Sequence, residues 1–242
     1  MRRVAATLPY LAALAIWLCA AATTAQPQAG GHWQVVIAAG DNEEPVFDNG
    51  VAAMARFLTR HGVPPADIHR LSAAETGAEP ATLANLTHRI ATLPVGSGDR
   101  CLVFVTSHGV HGEGVYLARD DEVLSPKALA AALSRGCASV PTVVIVSACY
   151  SGSFAAPPMT APNRVVLTAS RADRPSFGCQ ADRTFTVFDE CLLAALPRIA
   201  NWHGAFRDTA ACVKRRERAW RVLPSYPQVS FGAATRQIPL WF

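Results

Sequence analysis

Short, nearly unbroken apolar runs alternate along the chain with longer segments in which apolar residues recur every three or four positions. Runs of this kind are typical of strands that are buried on both faces, and the longer spacing is typical of the helices that cover them. The sequence therefore predicts a mostly parallel sheet of about six strands with helices on both faces. The predicted strands are residues 34–39, 67–71, 101–106, 142–146, 164–168 and 228–231.

Helical spacing of apolar residues marks the segments between these strands. In the first such segment Phe47, Val51 and Met54 share one face, and His61-Gly62 closes the helix. The pattern breaks between Gly109 and Leu124, where we expect a small hairpin at the edge of the sheet. The predicted helices are residues 47–60, 80–93 and 125–135, followed by two helices within 184–221.

The first 25 residues have the three-part organisation of a secretory signal peptide. Arg2 and Arg3 precede an apolar run from Leu8 to Ala22, and small residues lead to a cleavage position after Ala25. The run is shorter than the ~20 residues that a membrane-spanning helix needs, which disfavours a retained anchor. We therefore expect export to the periplasm or the medium, with no stable membrane insertion after cleavage.

The composition fits one globular domain over residues 26–242. Half of the residues are hydrophobic and 17% are charged, which excludes a disordered chain. The net charge is +4, and it falls to +2 once the two leader arginines are removed. Nothing in this charge indicates nucleic acid as a partner. No motif indicates a cofactor, and the oligomeric state is left open.

Export also changes how the cysteines are interpreted, because an oxidising compartment permits disulfides. Cys19 leaves with the leader, and up to three disulfides are possible among the rest; a free catalytic thiol would leave at least one other cysteine unpaired. Spacing does not determine the pairing. We expect pairing among Cys179, Cys191 and Cys212, and a simply buried Cys101. The mature cysteines are Cys101, Cys137, Cys149, Cys179, Cys191 and Cys212.

The third and fourth predicted strands both lead into reactive side chains. His108-Gly109 follows one strand and Cys149 follows the other, and one crossover helix joins them, so we expect neighbouring strands. Ligands of parallel sheets bind at the carboxyl ends of the strands. An imidazole beside a thiol favours the thiolate and protonates a leaving amine, as nucleophilic acyl transfer requires. Gly109 and Gly152 would let backbone N–H groups approach the developing oxyanion.

Two simpler interpretations compete with this one. A cysteine at a strand end of an exported protein can instead be a disulfide partner or a small core residue, and a single histidine can be structural. His108 and His111 also have the spacing of a metal-binding pair, but no C-x-x-C pair completes a zinc site. We therefore expect no bound metal.

Four segments of the chain, in order, carry a family resemblance. They are Gly40-Asp41-Asn42, Thr106-Ser-His108-Gly109, Ser147-Ala-Cys149-Tyr-Ser-Gly152-Ser153 and Ala169-Ser-Arg-Ala-Asp-Arg-Pro-Ser-Phe-Gly-Cys179. The second and third resemble the His-Gly and Ala-Cys motifs of the legumain-like C13 cysteine peptidases, within the caspase-like clan. The last resembles the segment after the nucleophile strand in bacterial members. Together they span most of the mature chain.

This resemblance implies a caspase-like three-layer α/β/α sandwich and an exported cysteine endopeptidase that acts on peptides or proteins through a thioester acyl-enzyme. Cys149 would be the nucleophile and His108 the general acid and base. The backbone N–H groups of Gly109 and Cys149 would form the oxyanion hole. Asn42 matches a family asparagine that orients the histidine, although an asparagine in this place also suits a loop turn after Gly40.

The sequence departs from the legumains where they recognise an asparagine side chain. Ser147 stands where they carry an acidic residue two positions before the nucleophile. No equivalent of their early arginine is found around Asp48 and Asn49. Cleavage after asparagine is therefore not implied. A transpeptidase or ligase that uses the same pair of residues, and a non-catalytic binding module on the same fold with Cys149 in a disulfide, are the alternatives.

Overall fold

The central element of the structure is a seven-stranded sheet, observed in a computed structural model that describes residue 1 and residues 31–74, 78–235 and 238. The predicted leader lies outside the described residues apart from Met1. The strands are β1 (Trp33–Ala39), β2 (Ile68–Ser72), β3 (Glu79–Pro80), β4 (Arg100–Thr106), β5 (Gly109–Val110), β6 (Gly114–Leu117), β7 (Glu122–Leu124), β8 (Thr142–Ser147), β9 (Arg164–Thr168) and β10 (Gln228–Phe231). The helices are α1 (Pro45–Arg60), α2 (Leu83–Ala91), α3 (Pro126–Gly136), α4 (Val187–Ala195) and α5 (Trp202–Trp220).

The strand order of this sheet is β10-β9-β8-β4-β1-β2-β3, and every neighbouring pair is parallel except β10 with β9. The predicted mostly parallel sheet is confirmed. It has seven strands where about six were expected, because the two-residue strand β3 pairs with the end of β2. Glu79 and Pro80 form too short and too polar a segment for an apolar pattern to mark them.

Helices cover both faces of the sheet, which gives the expected three-layer α/β/α sandwich. Successive residues of a strand point to opposite faces. In β1, accordingly, Val35 and Ile37 pack into one core with α1, α4 and α5, while Val36 and Ala38 pack into a second core with α2 and α3. Both cores extend along the sheet, so its strand ends are held on a rigid support.

Four of the five α-helices described, all except α1, begin where a side chain satisfies one of the first free N–H groups. Thr82 accepts a hydrogen bond from the Asn85 N–H at the start of α2, and Ser125 accepts one from the Ala128 N–H at the start of α3. The predicted start of α2 at residue 80 is wrong by three positions because Pro80 belongs to β3. Among the described residues, none of the helices combines the length and apolarity needed to cross a membrane.

The region after β4 forms a separate antiparallel sheet of three strands, in the order β5-β6-β7, where a small hairpin was expected. This sheet lies over the carboxyl ends of β1 and β4. The Ala118 N–H donates to the Gly40 carbonyl at 2.7 Å, and the Tyr116 N–H donates to the His108 carbonyl at 3.0 Å. These bonds fix the loop that carries His108.

Four of the six cysteines among the described residues form two disulfides. Cys191 pairs with Cys212 and joins α4 to α5, so one of the expected pairings is confirmed, while Cys179 is free. The expectation for Cys101 is wrong: it is buried, but it is also bonded to Cys137 at the end of α3, with 6.1 Å between the Cα atoms. Cys149 is a free thiol.

Candidate active site

The carboxyl ends of β4 and β8 place His108 and Cys149 at one edge of the sheet. The two strands are parallel neighbours, as predicted, and Thr106 pairs with Ser147 in their register. One residue further on, the Ser107 N–H donates to the Ser147 carbonyl at 3.1 Å. His108 and Cys149 therefore each follow the last paired residues by two positions.

Gly109 lies directly against the backbone of Cys149. A Cβ atom built on Gly109 would be 1.9 Å from the Cys149 carbonyl oxygen and 3.0 Å from its nitrogen, so only glycine fits without a shift. The N–H group of Cys149 has no hydrogen-bond partner within the part of the chain that the structure describes. A free N–H group beside a thiol is suited to receive a developing negative charge.

The Cys149 thiol is half-buried and contacts the loop that follows β9. The Ser176 N–H donates to Cys149 Sγ at 3.2 Å, and the sulfur lies 3.5 Å from the Ser176 carbonyl oxygen. These two contacts hold the sulfur atom against the backbone of Ser176. Ser176 belongs to the segment that carries the family resemblance, but sequence reasoning gave it no role.

The chain turns sharply after the thiol. Tyr150 has a left-handed backbone (φ 59°), and its N–H donates to the Arg174 carbonyl at 2.8 Å. A short 3-10 helix, Ser151–Ala155, follows. A Cβ atom on Gly152 would lie 2.5 Å from the Ala172 nitrogen. The glycine at this position is therefore explained by close contact with the loop after β9.

His108 is half-buried beside an acidic loop. Its ring meets the edge of Phe47 at a centroid distance of 5.1 Å. The nearest ligand atoms of Asp41, Glu43 and His108 all lie within 4.8 Å of one another, and Asp41 is only 2% exposed. Asn42 is exposed, and within the described residues no hydrogen bond joins its side chain to His108. The sequence pattern assigns no role to its acidic neighbour, Asp41.

These three side chains are also the group that could hold a metal ion, since carboxylate and imidazole ligands suit several divalent cations. His111 is not part of such a group in the described chain. Its ring instead packs edge-on against Tyr150 at 4.9 Å. His108 and His111 therefore do not belong to one candidate metal site, although their sequence spacing is that of a metal-binding pair.

Two groups near the strand ends have shifted pKa values. Burial, assisted by the charge of Cys149, raises the pKa of the Cys179 thiol, which disfavours its thiolate form. Burial also raises the pKa of Asp189 to about 6. Asp189 lies in the first turn of α4 beneath the ends of β4 and β8, and nothing in the sequence pattern marked it.

Comparison with known proteins identifies one family. A model of the Peptidase C13 family matches residues 84–209, slightly more than half of the chain. The match runs from α2 to the first half of α5 and includes His108, Cys149 and Ser176. A comparison with curated proteins gives no significant match.

Proposed function

The chain belongs to the peptidase C13 family, and we propose that it is an exported endopeptidase in which Cys149 and His108 hydrolyse peptide bonds. Membership of this family means cysteine-peptidase chemistry and peptide or protein substrates. The observation that carries the assignment of residues is the contact of Gly109 with the Cys149 backbone. This contact brings the loop of the histidine onto the residue that bears the thiol.

The reaction begins when His108 takes the proton of the Cys149 thiol and Sγ attacks the carbonyl carbon of the scissile bond. A C–S bond forms, and the carbonyl oxygen takes up negative charge beside the N–H groups of Cys149 and Gly109. As the C–N bond breaks, His108 gives its proton to the leaving amine. Water then attacks the thioester while His108 accepts a proton from the water. The C–S bond breaks, the carboxylic acid product leaves, and His108 returns the proton to the thiolate.

Asp41 is the better-placed group to orient His108. Its side chain is buried, and its nearest carboxylate oxygen lies within 4.8 Å of a nitrogen of the imidazole, so it is placed to hold the ring in one orientation. Asn42, which the family resemblance implies for this role, has an exposed side chain one position further on. The role of Asn42 stays a prediction. Separate substitution of Asp41 and of Asn42 shows which of the two side chains orients His108.

The free thiol favours an enzyme over a binding module, since a disulfide-bonded Cys149 could not attack a peptide bond. Transfer of the acyl group to an added amine, in place of water, would identify a transpeptidase or ligase. Product analysis by mass spectrometry with and without an amine acceptor distinguishes transfer from hydrolysis.

The decisive experiment uses the two free cysteines as a matched pair. Cys149→Ala should abolish cleavage of a peptide library, and His108→Ala should lower it by at least ~100-fold, because general acid–base catalysis contributes 10²–10⁴-fold. Cys179→Ala should leave cleavage within about twofold. Cleavage that survives in Cys149→Ala, with an unchanged fold by circular dichroism, would refute the assignment.

Export is part of the same proposal. Both disulfides, Cys101–Cys137 and Cys191–Cys212, are typical of an oxidising compartment, and the apolar leader would provide a route to it. Sequencing of the secreted protein should find Gln26 at the new N-terminus. Recovery of the uncleaved chain in the membrane fraction would contradict this.

A further inference from the structure

Asp189 is a buried carboxyl group whose hydrogen bonds lead to the catalytic strands. Its side chain is 0% exposed, in the first turn of α4. The hydroxyl of Thr106, the last residue of β4, donates to Asp189 Oδ2 at 2.7 Å. Because a buried carboxyl is costly without partners, this bond stabilises the position of both groups.

The same residue is also linked to the neighbouring strand. The Ser147 hydroxyl, at the end of β8, lies 3.4 Å from the Thr186 hydroxyl, which accepts a hydrogen bond from the Asp189 N–H. Since Thr106 and Ser147 pair in the register of β4 and β8, Asp189 and Thr186 together link the ends of both strands. His108 and Cys149 each follow these residues by two positions.

Helix capping does not account for this carboxyl group. Thr186 caps α4 by accepting a hydrogen bond from the Asp189 N–H at 3.1 Å. In a capping box the acidic side chain at this position returns to the N–H of the capping residue. Here Oδ2 is bonded to Thr106, and Oδ1 has no partner among the described residues. Gly50 of α1 leaves room for the Asp189 carboxyl group, because a Cβ atom on Gly50 would be only 3.0 Å from Oδ2.

We propose that Asp189 is a positioning residue that fixes the ends of β4 and β8 relative to each other and thereby sets the approach of His108 to Cys149. The inference rests on the proposed function of these two residues. Asp189 is fully buried and so does not touch a substrate.

The ionisation of Asp189 gives this role a signature in pH. Burial raises its pKa to about 6, while the hydroxyls of Thr106, Ser147 and Thr186 act in the opposite direction. Among the described residues, these hydroxyls and no charged group face the carboxyl. Above about pH 6 the ionised form accepts the hydroxyl hydrogen bonds more strongly. The hydrogen bonds that link the ends of β4 and β8 through Asp189 should therefore become stronger as pH rises through about 6.

The test compares Asp189→Asn and Thr106→Val with the control Thr142→Val. Thr142 is equally buried, and its hydroxyl bonds the Val140 carbonyl at the opposite end of β8. Turnover (kcat) and KM for a peptide substrate are measured from pH 5 to 9. We expect both test variants to lower kcat at least tenfold with KM within twofold, and Asp189→Asn to lose an acid limb near pH 6. The control should match the wild type.

A second measurement separates this inference from the proposed function. The rate of Cys149 alkylation by iodoacetamide needs no turnover and reports the imidazole beside the thiol. Asp189→Asn and Thr106→Val should slow alkylation at pH 7 towards the rate of an ordinary thiol, in variants that remain folded by circular dichroism. Unchanged alkylation and unchanged kcat in both would overturn the positioning role. Altered alkylation in a protein that cleaves no peptide would overturn the peptidase proposal alone.

Discussion

Gly109 is the position in the candidate site with the least room for a side chain. In Gly109→Ala the new methyl group would meet the Cys149 carbonyl oxygen at 1.9 Å, so the backbone must move. Because oxyanion stabilisation depends on N–H groups held in place, we expect a loss of ~100-fold or more in kcat/KM. Gly96→Ala is the control, since its nearest neighbour, Asp99 Oδ2, is at an ordinary 3.5 Å. Equal activity of both variants would show that Gly109 does not shape the site.

The neighbours Asp41 and Asn42 give a second prediction at the residue scale. If the buried carboxylate orients His108, Asp41→Ala should lower kcat at least ~10-fold because the ring loses its fixed orientation, while Asn42→Ala should change it less than about threefold. Kinetics with one peptide substrate at pH 7 measure both. The reverse order of effects would restore Asn42 to the role implied by the family resemblance.

The sequence was most informative for residues that directly follow a buried strand. His108 and Cys149 come after strong apolar runs, so their common edge followed from parallel topology alone. Ser176 and Asp189 could not be found in this way, because loop closure and helix packing bring them to the strand ends from 27 and 83 residues away in sequence.

Among the secondary-structure elements, those with long periodic patterns were predicted within a few residues, and those without periodicity were not. The strand 142–146 is observed as β8, Thr142–Ser147, but the two-residue strands β3 and β5 have no pattern to detect. The Cys101–Cys137 disulfide was missed for a related reason. The bond forms because the end of α3 lies close to the start of β4. The spacing of cysteines along the sequence does not reveal this distance in space.

The disulfide between α4 and α5 gives a prediction for these elements. It closes a loop with a sequence separation of 21, so its loss should lower the free energy of unfolding by about 3 kcal/mol. The double variant Cys191→Ala/Cys212→Ala, measured by urea unfolding, tests this. Cys179→Ala serves as the control because that cysteine is free. A double variant as stable as the control would mean that helix packing alone holds α4 on α5.

For the whole molecule, the site is an assembly of separate elements on one sheet edge. The thiol comes from β8, the imidazole from β4, the acidic loop from β1 and the sulfur-binding N–H from the loop after β9. The family match alone would not have located Asp41, which lies before its first matched residue. If Asp189 has the positioning role proposed above, stability and catalysis are coupled at these strand ends, where its carboxyl group is buried.

That coupling predicts how the stability of the whole protein depends on pH. The pKa of Asp189 is raised from 3.8 to about 6, so the folded state holds this proton more tightly than the unfolded state, and stability falls as pH rises from about 4 to above 6. The difference corresponds to about 3 kcal/mol. Asp173, whose pKa its hydrogen bond to Arg171 lowers to about 2, acts in the opposite sense, with stability lost only as pH falls below about 4.

Urea unfolding at pH 4.5, 6 and 7.5 isolates the contribution of Asp189 when the wild type is compared with Asp189→Asn. The amide does not ionise, so the variant should gain stability relative to the wild type as pH rises, while its kcat falls. Such opposite changes would mean that the protein retains a destabilising buried carboxyl because the catalytic strands need it. Parallel pH dependence in the two proteins would instead mean that Asp189 does not titrate in this range.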